Sequence, residues 1–340
     1  MFIPKRIIIE KDALEYEMTR QILNLFKDNK EMEIIYLNSN KIKQHIPGND
    51  LYSWYRESKK TLVIGAKKVL KFQTCKPSAH YQLPLLSGCM GHCEYCYLNT
   101  MLGDRPFIKV NANIEDILFQ AKKYTEERLP GVTIFEGAAT SDPIPVEPYT
   151  HALGKSIEFF GKDNNTRFRF VTKYNDVESL LQLKHNGNTE IRFSINTQHV
   201  IDEYEHHTAS CDKRVEASIK VAKAGYLMGY LIAPVFVYPN WKEEYHSLLL
   251  KLRDILPTNL KYPVTFEIIS HRYTTTAKNR INQVFPDNKL PMKEEDRMFK
   301  YGQFGYGKYV YTKENLDEIK RFFSKEIEDL FKNKEIKYII

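Results

Sequence analysis

The sequence predicts an α/β fold in which parallel strands are joined by helical crossovers, either an open sheet or a (β/α) barrel two units short of eight. Three observations carry that reading. From about residue 85, short β-branched or aromatic runs alternate with longer runs whose apolar residues recur at i, i+3 and i+4. Asparagine, aspartate and glycine stand where such helices should begin and end. About six strand and helix units are visible, with no repeat or low-complexity linker between them.

Residues 1 to 80 form an N-terminal α/β extension, in which "DALEYEMTRQILNLFKDN" predicts a capped amphipathic helix and "EIIYLNSN" and "TLVIGAKKVLKF" predict strands. Residues 81 to 290 carry the alternation itself. Strands are expected in "LPLLSG", "VTIFEGA", "RFRFVTK", "EIRFSIN", "YLMGYLIAPVFV" and "PVTFEII". Helices are expected between them, in "NIEDILFQAKKYTEERL", "PYTHALGKSIEFFGK", "DVESLLQLKHNGN", "DKRVEASIKVAKAG" and "WKEEYHSLLLKLRDIL". Asn113 and Asp176 are the expected N-caps of two of these, since a short polar side chain can accept from the open N–H groups of a first turn. Gly187 and Gly225 stand just past two helix ends, where left-handed backbone is wanted. Residues 291 to 340 finish the chain with a β-hairpin in "RMFKYGQFGYGKYVY" and a closing amphipathic helix, "NLDEIKRFFSKEIEDLF".

Composition narrows the function classes. No apolar run approaches the ~18 residues of a membrane span. The opening "MFIPKRIIIEKDALEYE" lacks the cleavage site of a signal peptide, so a cytoplasmic location is expected. Fifty Lys plus Arg against 43 Asp plus Glu, a formal charge of +7, permits an anionic partner such as nucleic acid.

Three of the five cysteines, Cys89, Cys93 and Cys96, fall in "SGCMGHCEYCYLNT" at C-x3-C-x2-C spacing. An odd count with three clustered is not a disulfide framework, and in a reducing compartment it points to metal binding or catalysis. A structural zinc site needs a fourth ligand, for which His80 and His92 are the nearest candidates, and no second C-x2-C exists to supply one. The competing reading is a [4Fe-4S] cluster held by three thiolates, with one iron left open to the amine and carboxylate of S-adenosylmethionine. The loop follows a predicted strand, where barrels place their chemistry.

"CMGHCEYC" on such a loop resembles the radical S-adenosylmethionine superfamily. With its flanks, "LKFQTCKPSAHYQLPLLSGCMGHCEYCYL", "RFVTKY", "IRFSIN", "YLIAPV" and "GYGKYVY", the sequence from about residue 60 to 311 is similar to the spore photoproduct lyase family. The resemblance implies an incomplete (β/α)6 TIM-like barrel of the radical S-adenosylmethionine type. It implies a carbon–carbon lyase that returns a methylene-bridged thymine pair in spore DNA to two thymines, through a 5'-deoxyadenosyl radical.

It further implies that Cys89, Cys93 and Cys96 hold the cluster, and that Tyr95 and Tyr97 lie near the radical path. Ser141, Lys173, Ser194, Asn196 and Ala233 would contact S-adenosylmethionine from strand ends. The implied partners are damaged double-stranded DNA with the lesion flipped out and an electron donor of flavodoxin or ferredoxin type. The protein is expected to act as a monomer in the cytoplasm of the spore core, without a membrane. For the DNA, the hairpin offers Lys300, Tyr301, Tyr306 and Lys308, and "SHRYTTTAKNR" adds His271 and Arg272. Gln303 stands where the family has an arginine.

One departure from the family bears on the chemistry. Family members carry a hydrogen-donating cysteine just before "TSD", where this chain reads "FEGAATSD" with Ala139. They carry serine where this chain has Cys75 in "QTCKPSAH", so Cys75 is the expected substitute donor, acting directly or through Tyr97. Two other readings are open: a radical enzyme acting on RNA or a peptide, and a zinc-bearing nucleic-acid-binding module without catalysis. Colour separates the last, since sulfur-to-iron charge transfer makes iron–sulfur proteins brown.

Overall fold

The computed structural model describes residues 1–38, 41–301 and 307–340. Contacts divide the chain into two compact units, one of Met1–Met90 and Met101–Glu190, the other of Gly91–Thr100 and Ile191–Ile340.

The first unit holds two sets of strands. In one, Glu33–Leu37, Arg6–Glu10, Thr61–Gly65 and Ile108–Asn111 pair in that order and in parallel, and Leu86–Ser87 adds antiparallel to the last. Ile7, Ile8, Ile9, Leu62, Val63 and Ile64 are all 0% exposed. Unbroken apolar runs of this kind mark strands buried on both faces, and such a run shows no alternation. "RIIIE", an interior strand of this set, therefore offers no period-two pattern to read in the sequence.

In the other set Thr74–Cys75, Ala79–Gln82, Thr133–Glu136 and Thr166–Thr172 are neighbours in that order. The last three run parallel, and Thr74–Cys75 folds back on Ala79–Gln82 as a short antiparallel arm. A column of rings fills the space beside them: Phe135 lies 5.0 Å from Phe160, and Phe160 lies 5.3 Å from Phe168.

The second unit repeats the pattern. Thr189–Ile195, which it enters at Ile191, is followed in strand order by Leu227–Val235, Val264–Ser270 and Lys334–Ile339. The last two joins are parallel. Helices Cys211–Lys223, Trp241–Ile255 and Lys313–Leu330 supply the crossovers, and Ser210 and Thr312 cap the first and third through their hydroxyls. Met298–Tyr301 and Gly307–Val310 pair antiparallel as the expected hairpin, rooted by two backbone bonds between Tyr273 and Tyr309, 3.1 and 2.7 Å.

Several expectations are corrected. "DVESLLQLKHNGN" forms a single 3-10 turn, Glu178–Leu180, because Val177 and Leu180 plug the core at once and Asn186 and Gly187 then turn left-handed. Asp176 caps no helix there; its carboxylate accepts from the amino terminus of Met1 at 2.6 Å. Asn113 stands at the N-cap position of Ile114–Glu126, but its amide is spent on the backbone of Lys67, accepting its N–H at 2.7 Å and donating to its carbonyl at 3.1 Å.

"PYTHALGKSIEFFGK" breaks at His151, whose φ is 50°, because the Glu147 carboxylate takes the N–H groups of Leu153 and Gly154 at 2.7 and 2.9 Å and starts a second helix. "TLVIGAKKVLKF" leaves its strand after Gly65. The last element is the strand Lys334–Ile339 rather than a helix, its side chains alternating in burial against Val264–Ser270. No helix among the described residues is long and apolar enough to cross a membrane.

Gly137 ends the strand Thr133–Glu136 against the ring column: a Cβ there would meet the Phe168 ring at 2.7 Å. Phe168 is 0% exposed and stacked, so it cannot yield. Gly137→Ala is expected to cost about 1–3 kcal/mol of unfolding free energy, read from the urea midpoint at unchanged slope.

Candidate functional site

Within the first unit, chain turns bring the loop residue Cys89 next to strand-end residues. Gly88 makes the turn with φ 85°, and a Cβ on it would strike the Phe107 carbonyl at 2.2 Å. Only glycine fits both demands. Its N–H donates to the Thr140 carbonyl at 2.9 Å, and Gly88 forms a parallel bridge with Ser141. Ser141 is buried, and its hydroxyl has no hydrogen-bond partner among the described residues. A buried hydroxyl without a partner forfeits about 1–3 kcal/mol unless water or a ligand meets it.

The next residue, Asp142, was not singled out from the sequence, and it organises this end of the unit. Its carboxylate accepts from the Thr172 hydroxyl and from the Lys173 backbone N–H, both at 2.8 Å, so it fixes where Lys173 leaves its strand. Burial raises its pKa to about 6, against the hydrogen bonds that favour the ionised form.

Cys89 is half-buried, and its carbonyl accepts from the Lys59 ammonium at 2.7 Å. Lys59 is itself 4% exposed and lies 5.2 Å from the centre of the Tyr55 ring. A buried cation beside a thiolate loop offsets negative charge.

Cys75 is half-buried on the short arm Thr74–Cys75. That arm is tied to the segment before Ala139: Gln82 N–H donates to the Gln73 carbonyl at 2.8 Å and Leu83 N–H to the Glu136 carbonyl at 2.9 Å. Ser78 also donates to the Glu136 carboxylate at 2.8 Å. A cavity of about 580 Å³ opens here, lined among others by Gln73, Gln82, Gly137, Ala139 and Thr140. The remaining cysteine, Cys211, is buried at the start of its helix, and burial pushes its thiol pKa up.

The second unit holds the rest of the cysteine loop. Cys93 is buried and Cys96 half-buried, and neither is in a disulfide. His92–Cys93 pairs antiparallel with Glu205–His206. The buried Asn99 amide donates to the carbonyls of Cys93 and Glu94 at 3.0 and 3.3 Å, closing the turn. Tyr95 donates its phenol O–H to the Glu205 carboxylate, and burial lifts its pKa far above the ordinary tyrosine value. Tyr97 is 55% exposed.

Glu205 is paired with Arg214 at 2.7 Å, both side chains 0% exposed. The guanidinium also donates to the carbonyls of Ala209 and Ser194 at 2.8 and 2.9 Å and to the Thr208 hydroxyl at 2.7 Å. Tyr95 on the cysteine loop and Ser194 on its strand are thereby linked through one ion pair. No motif flagged Glu205 or Arg214, which stand in the charged stretches "IDEYEHH" and "CDKRVE" and read there like ordinary surface residues.

Asn196 follows the same strand, fully buried. Its oxygen accepts from Tyr245 at 2.6 Å and from the Thr197 N–H at 3.0 Å, and its amide donates to the Pro234 carbonyl at 2.8 Å, next to Ala233. At the hairpin, Lys300 lies opposite Lys308 in register. Burial, then Arg272 and Lys300, depress the Lys308 pKa, so three cations converge there. Tyr301 is 75% exposed beside them. His271 sits deeper, 2% exposed and 4.6 Å from the Phe236 ring, and is held neutral by burial. Gln303 and Tyr306 lie outside the described residues.

The donor set of the loop, three cysteines outside any disulfide with a buried lysine at the Cys89 carbonyl, fits an iron–sulfur cluster in kind. Among the described residues no three His, Cys, Asp or Glu side chains gather tightly enough to chelate a metal ion by themselves. Of the imidazoles that could complete a zinc site, His80 accepts the Ile134 N–H through Nδ1 at 3.0 Å, and the His92 ring lies 4.5 Å from that of His207, tilted by 47°.

The family profile described as spore photoproduct lyase matches residues 2–340. The chain is 53% identical over 336 residues to the spore photoproduct lyase of Clostridium acetobutylicum, covering 99% of this chain and 98% of that one. To that of Bacillus subtilis it is 43% identical over 337 residues, with the same coverage. A solved spore photoproduct lyase complexed with dinucleoside spore photoproduct aligns with a TM-score of 0.95 at 41% identity, over 100% of this chain and 99% of the other. A variant carrying a cysteine-to-alanine and a serine-to-cysteine exchange, with bound AdoMet and the same dinucleoside, aligns at 0.95 and 42%, with the same coverage. These likenesses show the fold class, mixed α/β of the incomplete TIM-like barrel type.

Removing the guanidinium in Arg214→Met leaves the Glu205 carboxylate buried and unpaired, and is expected to cost about 3–5 kcal/mol of unfolding free energy in urea. Asp142 supplies a pH test. Because its folded pKa lies above the unfolded value, its contribution is fully present below about pH 4 and is lost as pH rises through about 6. Measured against Asp142→Asn, the unfolding free energy should therefore fall by up to about 3 kcal/mol between pH 4 and 7. A pH-independent difference would remove this account of Asp142.

Proposed function

The chain belongs to the spore photoproduct lyase family, and from that membership we propose that it repairs the ultraviolet-induced spore photoproduct in DNA to two thymines. The observation that carries this reading is full-length similarity to named lyases together with the C-x3-C-x2-C loop. Cys89, Cys93 and Cys96 hold a [4Fe-4S] cluster, and Ser141, Lys173, Ser194, Asn196 and Ala233 receive AdoMet. Bound together, these groups supply one-electron cleavage of a sulfonium, giving a carbon radical able to take hydrogen from the lesion. The orphaned Ser141 hydroxyl and the strand-end position of Lys173 support a polar, anion-bearing ligand there.

What the chain itself must do is orient the lesion, exclude competing donors and return one hydrogen atom to the thymine radical. Ala139 has only strong C–H bonds and no weak S–H hydrogen to give. Cys75 does: its S–H bond breaks as a C–H bond forms, and no net charge moves, so no proton acceptor is needed. In the solved double variant the two exchanged positions are separated by as many residues as Cys75 and Ala139, and the exchanges run the same way. This chain's own sequence carries the arrangement made there by substitution. The arm bearing Cys75 is tied to the segment before Ala139, and Gln73, two residues away, shares a cavity with Ala139.

The lesion reaches the site as a dinucleotide flipped from duplex DNA, and unstacking costs least at a damaged step. Lys300, Lys308 and Arg272 hold backbone phosphate, and Tyr301 offers a stacking face; Gln303 and Tyr306, outside the described residues, are read as further substrate contacts from the sequence alone. His271 supports the hairpin root from within. The protein acts as a monomer in the cytoplasm of the spore core and draws its electron from a flavodoxin- or ferredoxin-type donor.

In anaerobic turnover of a dinucleoside lesion with AdoMet and dithionite, Cys75→Ala should leave AdoMet cleavage intact while thymine recovery drops to a minor fraction and adducts rise. Adding Ala139→Cys should restore recovery. Normal thymine yield from Cys75→Ala would remove Cys75 from the mechanism.

A further inference from the structure

The cavity that Ala139 lines also has a basic rim whose charges are only partly answered. Lys67, Lys68, Lys71 and Lys109 all border it, against a single lining carboxylate, Glu10. Glu10 is spent on Lys109 at 2.7 Å, and Lys68 is paired with Asp12 outside the lining. The ammonium groups of Lys67 and Lys71 have no partner among the described residues.

Their backbone, in contrast, is held firmly. The segment between the strands Thr61–Gly65 and Thr74–Cys75 has no regular structure of its own, yet it is pinned at both ends of the lysine run. Lys67 exchanges two hydrogen bonds with the Asn113 amide, and Phe72 N–H donates to the Tyr124 hydroxyl at 3.2 Å while its ring packs 5.1 Å from Tyr124. Asn113 forgoes its capping role to do this. A fixed loop that presents two unanswered cations over a cavity fits a polyanion crossing its mouth better than a solvated surface, where neighbouring carboxylates ordinarily interleave.

We propose that Lys67 and Lys71 form a backbone-phosphate subsite that grips the DNA strand beside the lesion at the rim of this cavity, separate from the hairpin cations. The proposal rests on the repair reading and adds a contact that a dinucleoside cannot make. The solved complexes contain a dinucleoside lesion, which carries no phosphate, so a phosphate grip would have no occupant in them. The grip positions the strand and reads no base, since ammonium-to-phosphate contacts carry no sequence information.

The test separates phosphate binding from lesion chemistry. Wild type, Lys67→Gln/Lys71→Gln and Lys67→Arg/Lys71→Arg are compared in two assays. The first is the salt dependence of affinity for a duplex carrying one spore photoproduct. The second is turnover of the phosphate-free dinucleoside.

Each lost phosphate contact lowers the slope of log K against log salt by roughly 0.9, so the glutamine pair should flatten it by about 2 and the arginine pair should restore it. The ratio of dinucleoside turnover to duplex affinity should rise in the glutamine pair. An unchanged slope overturns the proposal. So does an equal loss in both assays, which would make the lysines part of the lesion site or the fold. Failure of wild type to turn over the dinucleoside would sink the repair reading instead, and it is visible without any variant.

Discussion

A charge pair sealed from water holds the second unit to one geometry. Arg214 and Glu205 are both without exposure, and taking two such ions out of water costs several kcal/mol each before their attraction returns any of it. The cost is tolerable only when every remaining donor and acceptor is met. Arg214 meets this by donating to Ala209, Thr208 and Ser194, and Glu205 by accepting from Tyr95. Two of those partners were singled out from the sequence: Ser194 is the next-to-last residue of its strand, and Tyr95 lies between two cysteines of the loop. Satisfying the pair therefore sets the loop and the strand end together, with far less slack than apolar packing would leave.

The first unit uses a different device for the same end. Gly88 turns the chain where no side chain fits, and Asp142 then gathers Thr172 and Lys173 by two hydrogen bonds. Burial raises the Asp142 pKa, so the carboxylate sits close to the balance between its charged and neutral forms. This strand end thus gives up some stability at neutral pH to hold its position. The price is usual where polar groups are kept ready for a ligand.

The proposed transfer of the donor role from position 139 to Cys75 is chemically conservative in one respect. A hydrogen atom donor needs a weak X–H bond within reach of the radical, and it does not need a particular strand. The arm Thr74–Cys75 folds back onto Ala79–Gln82, which pairs with Thr133–Glu136, so positions distant in the chain border neighbouring strands.

Much of this was legible in the residues themselves. The period-two and period-3.6 runs from residue 133 to 270 became the expected strands and most of the expected helices, and the cysteine loop announced its chemistry by ligand type and spacing. What local pattern could not reveal were elements defined by their partners. Arg6–Glu10 is a strand because a neighbour pairs along each of its edges, and Lys334–Ile339 because Val264–Ser270 offers an edge. Glu147 breaks a helix through N–H groups beyond the break. Asn113 is drawn from its cap by Lys67. Spacing along a chain encodes periodicity and ligand sets, whereas pairing of buried charges and the company of a buried strand depend on residues far off in sequence, such as Tyr95, Glu205 and Arg214, which no local rule brings together.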